Sequence, residues 1–449
     1  MDLLKSIFKG DKVIWIIFLL LCLISVVEVF SASSTLTYTS GDHWGPIRQH
    51  ALFLLAGAGV VVFCHNLPYQ WYQALPWLLL PPALLFLASL LCFKQVNIAG
   101  IFVIEKINDA GRWVKLMGIS FQPSELAKMG VVVATASILA KGQSEEGAAP
   151  TAFKQIMILT GLFVGLIFPE NFSTAAMLFG VVYLLMFIGR VSSKQRLTLT
   201  ASLGALAVAG VIILMATKDM DSPFLHRFDT WRTRIEKFAS SEQVPPEKYD
   251  LDVNGQVGNA RIAIASSHVI GKGPGNSVQR DFLSQAYSDF IFAIIIEELG
   301  LVGGAILVFL YICLLIRVGR IARECDRTFP AFLVLGIGLL LVVQALFNMM
   351  VAVGLAPVTG QPMPLISRGG TSTLINCVYI GIILSVSRYT AALAEERRRQ
   401  AEQRRHDEQI PLLVDAGNPE LVETVANSQA QTAEEPKSAI YHRDEEMGE

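Results

Sequence analysis

Long apolar runs separated by short polar segments dominate this chain. Runs of about 17 to 25 residues, the length at which a helix crosses roughly 30 Å of hydrocarbon, recur near 13–32, 49–65, 73–92, 123–140, 154–169, 174–189, 197–216, 288–316, 329–350 and 371–388. The pattern predicts an all-α polytopic membrane protein of about ten transmembrane helices, with 13–390 as its membrane domain. Two segments break it. Residues 217–287, between the seventh and eighth runs, are too long for a connector. FLHRFDTWRTRIEKF within them has an amphipathic period, and NGQVGNARIAIASSHVIGKGPGNS is a Gly-punctuated continuation. Residues 391–449 open with AALAEERRRQAEQRRHDEQ, a charged helical stretch suited to anionic headgroups, and end polar and acidic, as disordered tails do.

Composition agrees, because 53% hydrophobic and 16% charged residues with a mean hydropathy of +0.49 are far from a soluble globular balance. Lys5, Lys9 and Lys12 predict a cytoplasmic N-terminus over 1–12. Counting spans alternately, Lys141, Lys154, Arg190, Lys194, Arg196, Arg317, Arg320, Arg323 and the arginines from Arg388 fall on the same side. Residues 217–287 are then a large extracytoplasmic loop, and both termini are cytoplasmic. The first run is longer than a signal-peptide core and is expected to stay as an uncleaved helix. The six cysteines sit in spans or on the inner side, without disulfide or zinc spacing. Nothing in the charge pattern points to nucleic acid.

The alternating topology gathers four polar helix starts at the outer face: FQPSELAK (121–128), ENFSTAA (170–176), AYSDFIF (286–292) and ISRGGTSTL (366–374). Pro123, Glu125, Ser288 and Thr371 are ordinary start signals, yet converging helix N-termini also attract anions. Arg112, Arg232, Arg234, Arg261, Lys272, Arg280 and Arg368 share that side. Together these features make a candidate pyrophosphate site. Asp289, one step into a predicted membrane helix, is the candidate acid. GKGPGNS (271–277) lacks the residue order of a phosphate-binding loop.

GRWVKLMGISFQPSELAK (111–128), RIEKF (234–238), GKGPGNS (271–277), SDFIFAIIIEELGLVGG (288–304) and GLAPVTGQPMPLISRGGTS (354–372) stand in order along the chain. They resemble the signatures of the SEDS family, the shape, elongation, division and sporulation proteins, and EELG favours the FtsW-like over the RodA-like branch. The resemblance implies a ten-helix peptidoglycan glycosyltransferase of the bacterial inner membrane. Such an enzyme polymerises lipid II into a growing glycan strand at the outer face, beside a class B penicillin-binding transpeptidase and the division or elongation machinery. It places the catalytic carboxylate on Asp289. Transfer from an undecaprenyl-pyrophosphate donor needs a base for the acceptor hydroxyl and positive charge for the leaving group. Arg112, Lys128, Lys272 and Arg368 are the candidates for that charge, with Ser124, Glu125 and Gln256 as further substrate-binding residues. A divalent cation, Mg or Mn, on Asp289 and the substrate phosphates is a candidate to share the task.

The chain departs from the usual pattern at Gln285, Tyr287 and Arg368, where an acid, a histidine and an aromatic are common. Glu297 and Glu298 are expected as structural acids paired with a neighbouring helix. On a continuous helix they lie roughly 80° and 180° around from Asp289. Glu28 is a similar buried tie or a cavity lining. Gly303, Gly304 and Ala305 form a small-residue patch expected to receive a partner's helix. A flippase for lipid-linked precursor and a non-catalytic scaffold are the rival readings.

Overall fold

The computed structural model describes residues 9–33, 44–93, 96–98, 102–107, 110–116, 119–216, 251–283 and 286–415. Each predicted run overlaps a helix. These are α1 (Lys12–Ala32), α2 (Gly45–Asn66), α3 (Leu75–Cys92, entered by a 3₁₀ turn from Tyr69), α4 (Pro123–Lys141), α5 (Pro150–Ile167), α6 (Phe172–Ile188), α7 (Ser193–Ala216), α9 (Ile291–Glu324), α10 (Thr328–Ala352) and α11 (Thr371–Asp415). Among the described residues, eight of them are long and apolar enough to cross a membrane, and the apolar α6 is shorter. A further helix, α8 (Leu251–Ala265), lies in the long loop; FLHRFDTWRTRIEKF, with Arg232 and Arg234, falls outside the described residues. The protein is an all-α polytopic membrane protein. Met1–Thr390 and Ala391–Glu449 form separate units, and 391–405 is helical and mainly exposed.

Apolar side chains gain little by leaving lipid for another helix, so packing must come from close approach. α4 and α10 form the centre, with 78% and 72% of their apolar segments buried, against 28%, 22% and 28% for α2, α3 and α5 on the lipid-facing rim. Glycine permits the approach. A Cβ at Gly336 would lie 2.7 Å from Val132 of α4, and one at Gly338 2.6 Å from Val318 of α9. At one end of the bundle Asp11 caps α1, accepting from Val13 N at 2.8 Å, while its carboxylate also takes the Arg317 guanidinium near the end of α9. Its N–H donates to Ser387 of α11 at 2.9 Å.

Three features differ from the sequence reading. A four-stranded antiparallel meander, β1 (Val96–Ile98), β2 (Phe102–Ile107), β3 (Ala110–Leu116) and β4 (Ile119–Phe121), joins α3 to α4. Ile104 and Val114 pair across β2 and β3 and pack with Leu90 and Phe86 of α3. Their alternation is legible in FVIEKI and AGRWVKL but is too short to register in a search for spans. Second, Asp289 is not inside a helix: it lies in a turn over 286–290, and α9 begins at Ile291. The angular separation from Glu297 and Glu298 counted along one continuous helix therefore does not apply. Third, Gly303 and Gly304 are buried against Leu299 and Ile296 of their own helix, so they offer no docking surface.

The reason for that last packing is a break. Gly300 adopts φ 73°, ψ −175° inside α9, which strands backbone groups on both sides. The segment 268–273 satisfies them. Lys272 N and Gly273 N donate to the carbonyls of Glu297 and Glu298 at 3.0 and 2.8 Å, and Leu301 N and Val302 N donate to those of His268 and Val269 at 3.3 Å each. A Cβ at Gly300 would lie 2.2 Å from Val269 O. Gly300→Ala is therefore expected to destabilise the protein by about 1–3 kcal/mol, read as a lowered Tm of the detergent-purified protein. An unchanged Tm would contradict the interlock.

Candidate active site

The interlock explains the two buried acids. Glu297 and Glu298 are both fully buried on the short helical turn before the break, facing the Gly-rich segment GKGPGNS. Glu297 receives the Lys272 ammonium at 2.5 Å, the Ser277 hydroxyl at 2.5 Å and the backbone N–H of Val278 and Gln279 at 3.2 and 3.3 Å. Glu298 takes the N–H of Gly275 and Ser277 at 2.8 and 3.1 Å and the Ser31 hydroxyl of α1. Arg280 donates to Ser31 Oγ at 2.9 Å and to the Gly275 carbonyl at 2.8 Å. The expected helix-to-helix tie is thus chiefly a tie from helix to loop, with Ser31 its neighbouring-helix partner. Glu28, one turn before Ser31, is fully buried, and neither of its oxygens has a hydrogen-bond partner among the described residues.

A second polar cluster lies where α4 and α6 begin. Lys128, also fully buried, places its ammonium 2.7 Å from Glu125 Oε1, a contact of charge rather than an aligned hydrogen bond, and donates to Gln344 Oε1 of α10 at 2.9 Å. Gln344 Nε2 donates to the Pro362 carbonyl at 2.9 Å. Asn348, one turn along the same face of α10, donates to the carbonyls of Gln361 at 2.8 Å and Asp289 at 3.0 Å. Gln361 Nε2 in turn donates to Thr174 Oγ1 of α6 at 2.6 Å. The hydroxyls of Ser124 and Tyr379, Asn376 Oδ1 and Gln361 Oε1 are buried without hydrogen-bond partners among the described residues.

Asp289 is half-buried and its Oδ1 accepts from Ser288 Oγ at 3.0 Å. Ser288 is no helix cap: Phe290 stands at that position, without a side-chain cap bond. Arg368 reaches the same turn. Its guanidinium carbon is 5.8 Å from the Tyr287 ring centre, and it donates to Gln49 Oε1 of α2 at 2.8 Å. Burial pushes the Tyr287 phenol up, opposed by the Arg368 charge and reinforced by Asp289, so the phenol stays neutral at physiological pH. Thr371 Oγ1 donates to the Ser120 carbonyl of β4 at 3.0 Å, which joins the start of α11 to the strands before α4.

The predicted site residues therefore divide. Asp289, Arg368, Glu125 and Lys128 are drawn into one network through α10 and the loop 361–370, with Ser124 beside Glu125. Lys272 is held apart by Glu297, and Gln256 is half-buried on α8. Arg112 lies on β3, where its side chain is outside the described residues, as is Gln285. Among the described residues no three His, Cys, Asp or Glu side chains converge to hold a metal.

Residues 11–392 match the Cell cycle protein family, FtsW/RodA/SpoVE. The chain belongs to that family. It is similar to the probable peptidoglycan glycosyltransferase FtsW of Geobacter sulfurreducens, with 30% identity over 387 residues covering 85% of this chain and 96% of that protein. Its fold resembles a chain of a peptidoglycan synthase complex solved to show structural coordination of polymerization and crosslinking, with a TM-score of 0.63, 24% identity and coverage of 85% and 99%. It also resembles the rod shape determining protein RodA of Thermus thermophilus, with a TM-score of 0.57, 22% identity and coverage of 85% and 97%. The FtsW-like branch is favoured.

Within this FtsW/RodA/SpoVE member, sequence reasoning missed Gln344, Asn348 and Gln361. The signal was present for the first two: amides four residues apart inside an otherwise apolar run. The structural acids make a direct prediction. Glu298→Gln keeps one acceptor oxygen but turns its NH2 toward a backbone N–H, and is expected to cost less than removal of both oxygens. Glu298→Ala leaves Gly275 N, Ser277 N and Ser31 without their acceptor and is expected to cost about 1–3 kcal/mol, measured as a drop in Tm. A stable Ala variant would remove the anchoring role.

Proposed function

We propose that this chain is a peptidoglycan glycosyltransferase that polymerises lipid II on the outer face of the bacterial inner membrane during cell division. Ten spans and cytoplasmic termini belong to this reading, and a class B penicillin-binding transpeptidase is its partner. Family membership and the activity named for the FtsW relatives support it. The observation that carries it is Asp289, a half-buried carboxylate in a non-helical turn, whose backbone carbonyl is tied through Asn348 to the network at the starts of α4 and α6.

In this reading the acceptor's sugar hydroxyl gives its proton to Asp289 as its oxygen attacks the donor's anomeric carbon. The glycosyl–oxygen bond to the pyrophosphate breaks, and the leaving group takes the electron pair as an anion. Positive charge must meet it there. The ammonium groups of Lys128 and Lys272 are engaged by buried carboxylates, whereas Arg368 has an amide and a ring for described partners and no described carboxylate. Arg368 therefore moves to first place among the candidates, with Arg112 retained. Lys128 and Glu125 act as a buried charge pair on the substrate's side of α4, and Gln256 contacts the substrate from the loop. The unpartnered hydroxyls of Ser124 and Tyr379 support a polar occupant, since a buried polar group left unpaired costs about 1–3 kcal/mol. Asp289 would be the protein ligand of a bound Mg or Mn, and such an ion would supply positive charge toward the leaving pyrophosphate.

Asp289→Asn keeps shape and removes basicity. It is expected to lower polymerisation of lipid II by about 10²–10⁴-fold with normal folding and insertion, measured by product length and yield from purified protein. Near wild-type polymer from the Asn variant would defeat the assignment. Arg368→Gln is expected to cost about tenfold to a hundredfold in kcat/KM, the scale of one hydrogen bond to a charged group, measured with the same substrate.

A further inference from the structure

The turn that carries Asp289 is held by its carbonyls. Were α9 to start a turn earlier, the carbonyls of Tyr287, Ser288 and Asp289 would accept from the N–H groups of residues 291, 292 and 293. Each is instead taken by a donor from elsewhere in the chain. Arg368 N donates to Tyr287 O at 3.0 Å, Ser367 Oγ to Ser288 O at 2.7 Å and Asn348 Nδ2 to Asp289 O at 3.0 Å. The first helical bonds then run from Ala293 N and Ile294 N to Phe290 O. The helix start, and with it the direction of the Asp289 side chain, is set by these outside donors.

The clamp is itself braced. Ser367 and Asn348 are both buried. The Ser367 hydroxyl is used in both directions, since it also accepts from Met363 N at 2.8 Å. Asn348 shares its amide with Gln361 O at 2.8 Å. Between them Leu365 is buried with φ 64°, a conformation that L side chains hold only when their surroundings over-determine it. Tyr311 supplies part of that constraint by donating to the Pro364 carbonyl.

We propose that Ser367 and Asn348 are positioning residues that aim the Asp289 carboxylate by clamping the backbone of its turn. The inference rests on Asp289 being the base. A misplacement of about 1 Å can cost 10²-fold in rate, so both are expected to act on kcat. The experiment measures kcat and KM for lipid II polymerisation, per folded molecule, for Ser367→Ala, Asn348→Leu and Asp289→Asn in the full-length chain with its transpeptidase partner. The expected result is a kcat lowered by about 10²-fold in Ser367→Ala and Asn348→Leu, with KM within about twofold of wild type. Wild-type kcat, or a loss confined to KM or to the folded fraction, would overturn the proposal. Should Ser367→Ala fail to fold, Asn348→Leu, close in volume and suited to a buried position, decides by the same criterion. An inactive Asp289→Asn beside normal kcat in the other two defeats the clamp alone. An active Asp289→Asn defeats the base assignment itself, and the clamp with it.

Discussion

Within hydrocarbon every backbone N–H and C=O must find a partner inside the protein, because no water is there to take its place. Two places in α9 strain that constraint: the break at Gly300 and the late start after Asp289. Both are resolved by chain segments brought in from outside the helix. The segment 268–273 lies against the break and exchanges four backbone hydrogen bonds with it. Residues from α10 and from the loop before α11 take the carbonyls of the Asp289 turn. Irregular backbone persists where protein covers it, and here one covered irregularity is the turn that holds Asp289 and the other follows it along α9 at Gly300.

The same constraint sorts the charged side chains. Glu297 and Glu298 are buried, yet their oxygens are filled by Lys272, Ser277, Ser31 and backbone N–H groups, which leaves them anchoring a loop. Lys128 and Glu125 neutralise each other and are braced by Gln344. Removing one partner of such a buried pair is strongly destabilising, because the remaining charge is left uncompensated. Asp289 and Arg368 differ in being half-exposed and in meeting hydroxyl, amide and ring partners.

Much of this was legible beforehand. The apolar runs each overlapped a helix, although α9 and α11 continue past them to Glu324 and Asp415, because a length of about 20 apolar residues is dictated by the bilayer itself. The motifs pointed to Asp289 and Arg368, and Arg368 bonds the turn that carries Asp289 through the Tyr287 carbonyl. Arg368 and Tyr287, two departures from the family pattern, turn out to touch, a pairing that separate positions along a chain do not reveal. The small sheet between α3 and α4 was overlooked because strands of three to seven residues carry too little pattern to stand out beside membrane runs.

Composition and spacing alone therefore determined that the chain is helical and spans a membrane many times. They did so because lipid solvation acts on each segment independently of the others. Where α9 starts, that it breaks at Gly300 and which acids anchor the loop were decided only in the folded protein. Those outcomes depend on hydrogen-bond donors from residues 268–280, 344–348 and 361–368 meeting one helix. Partners so distant in sequence become neighbours only once the bundle has closed.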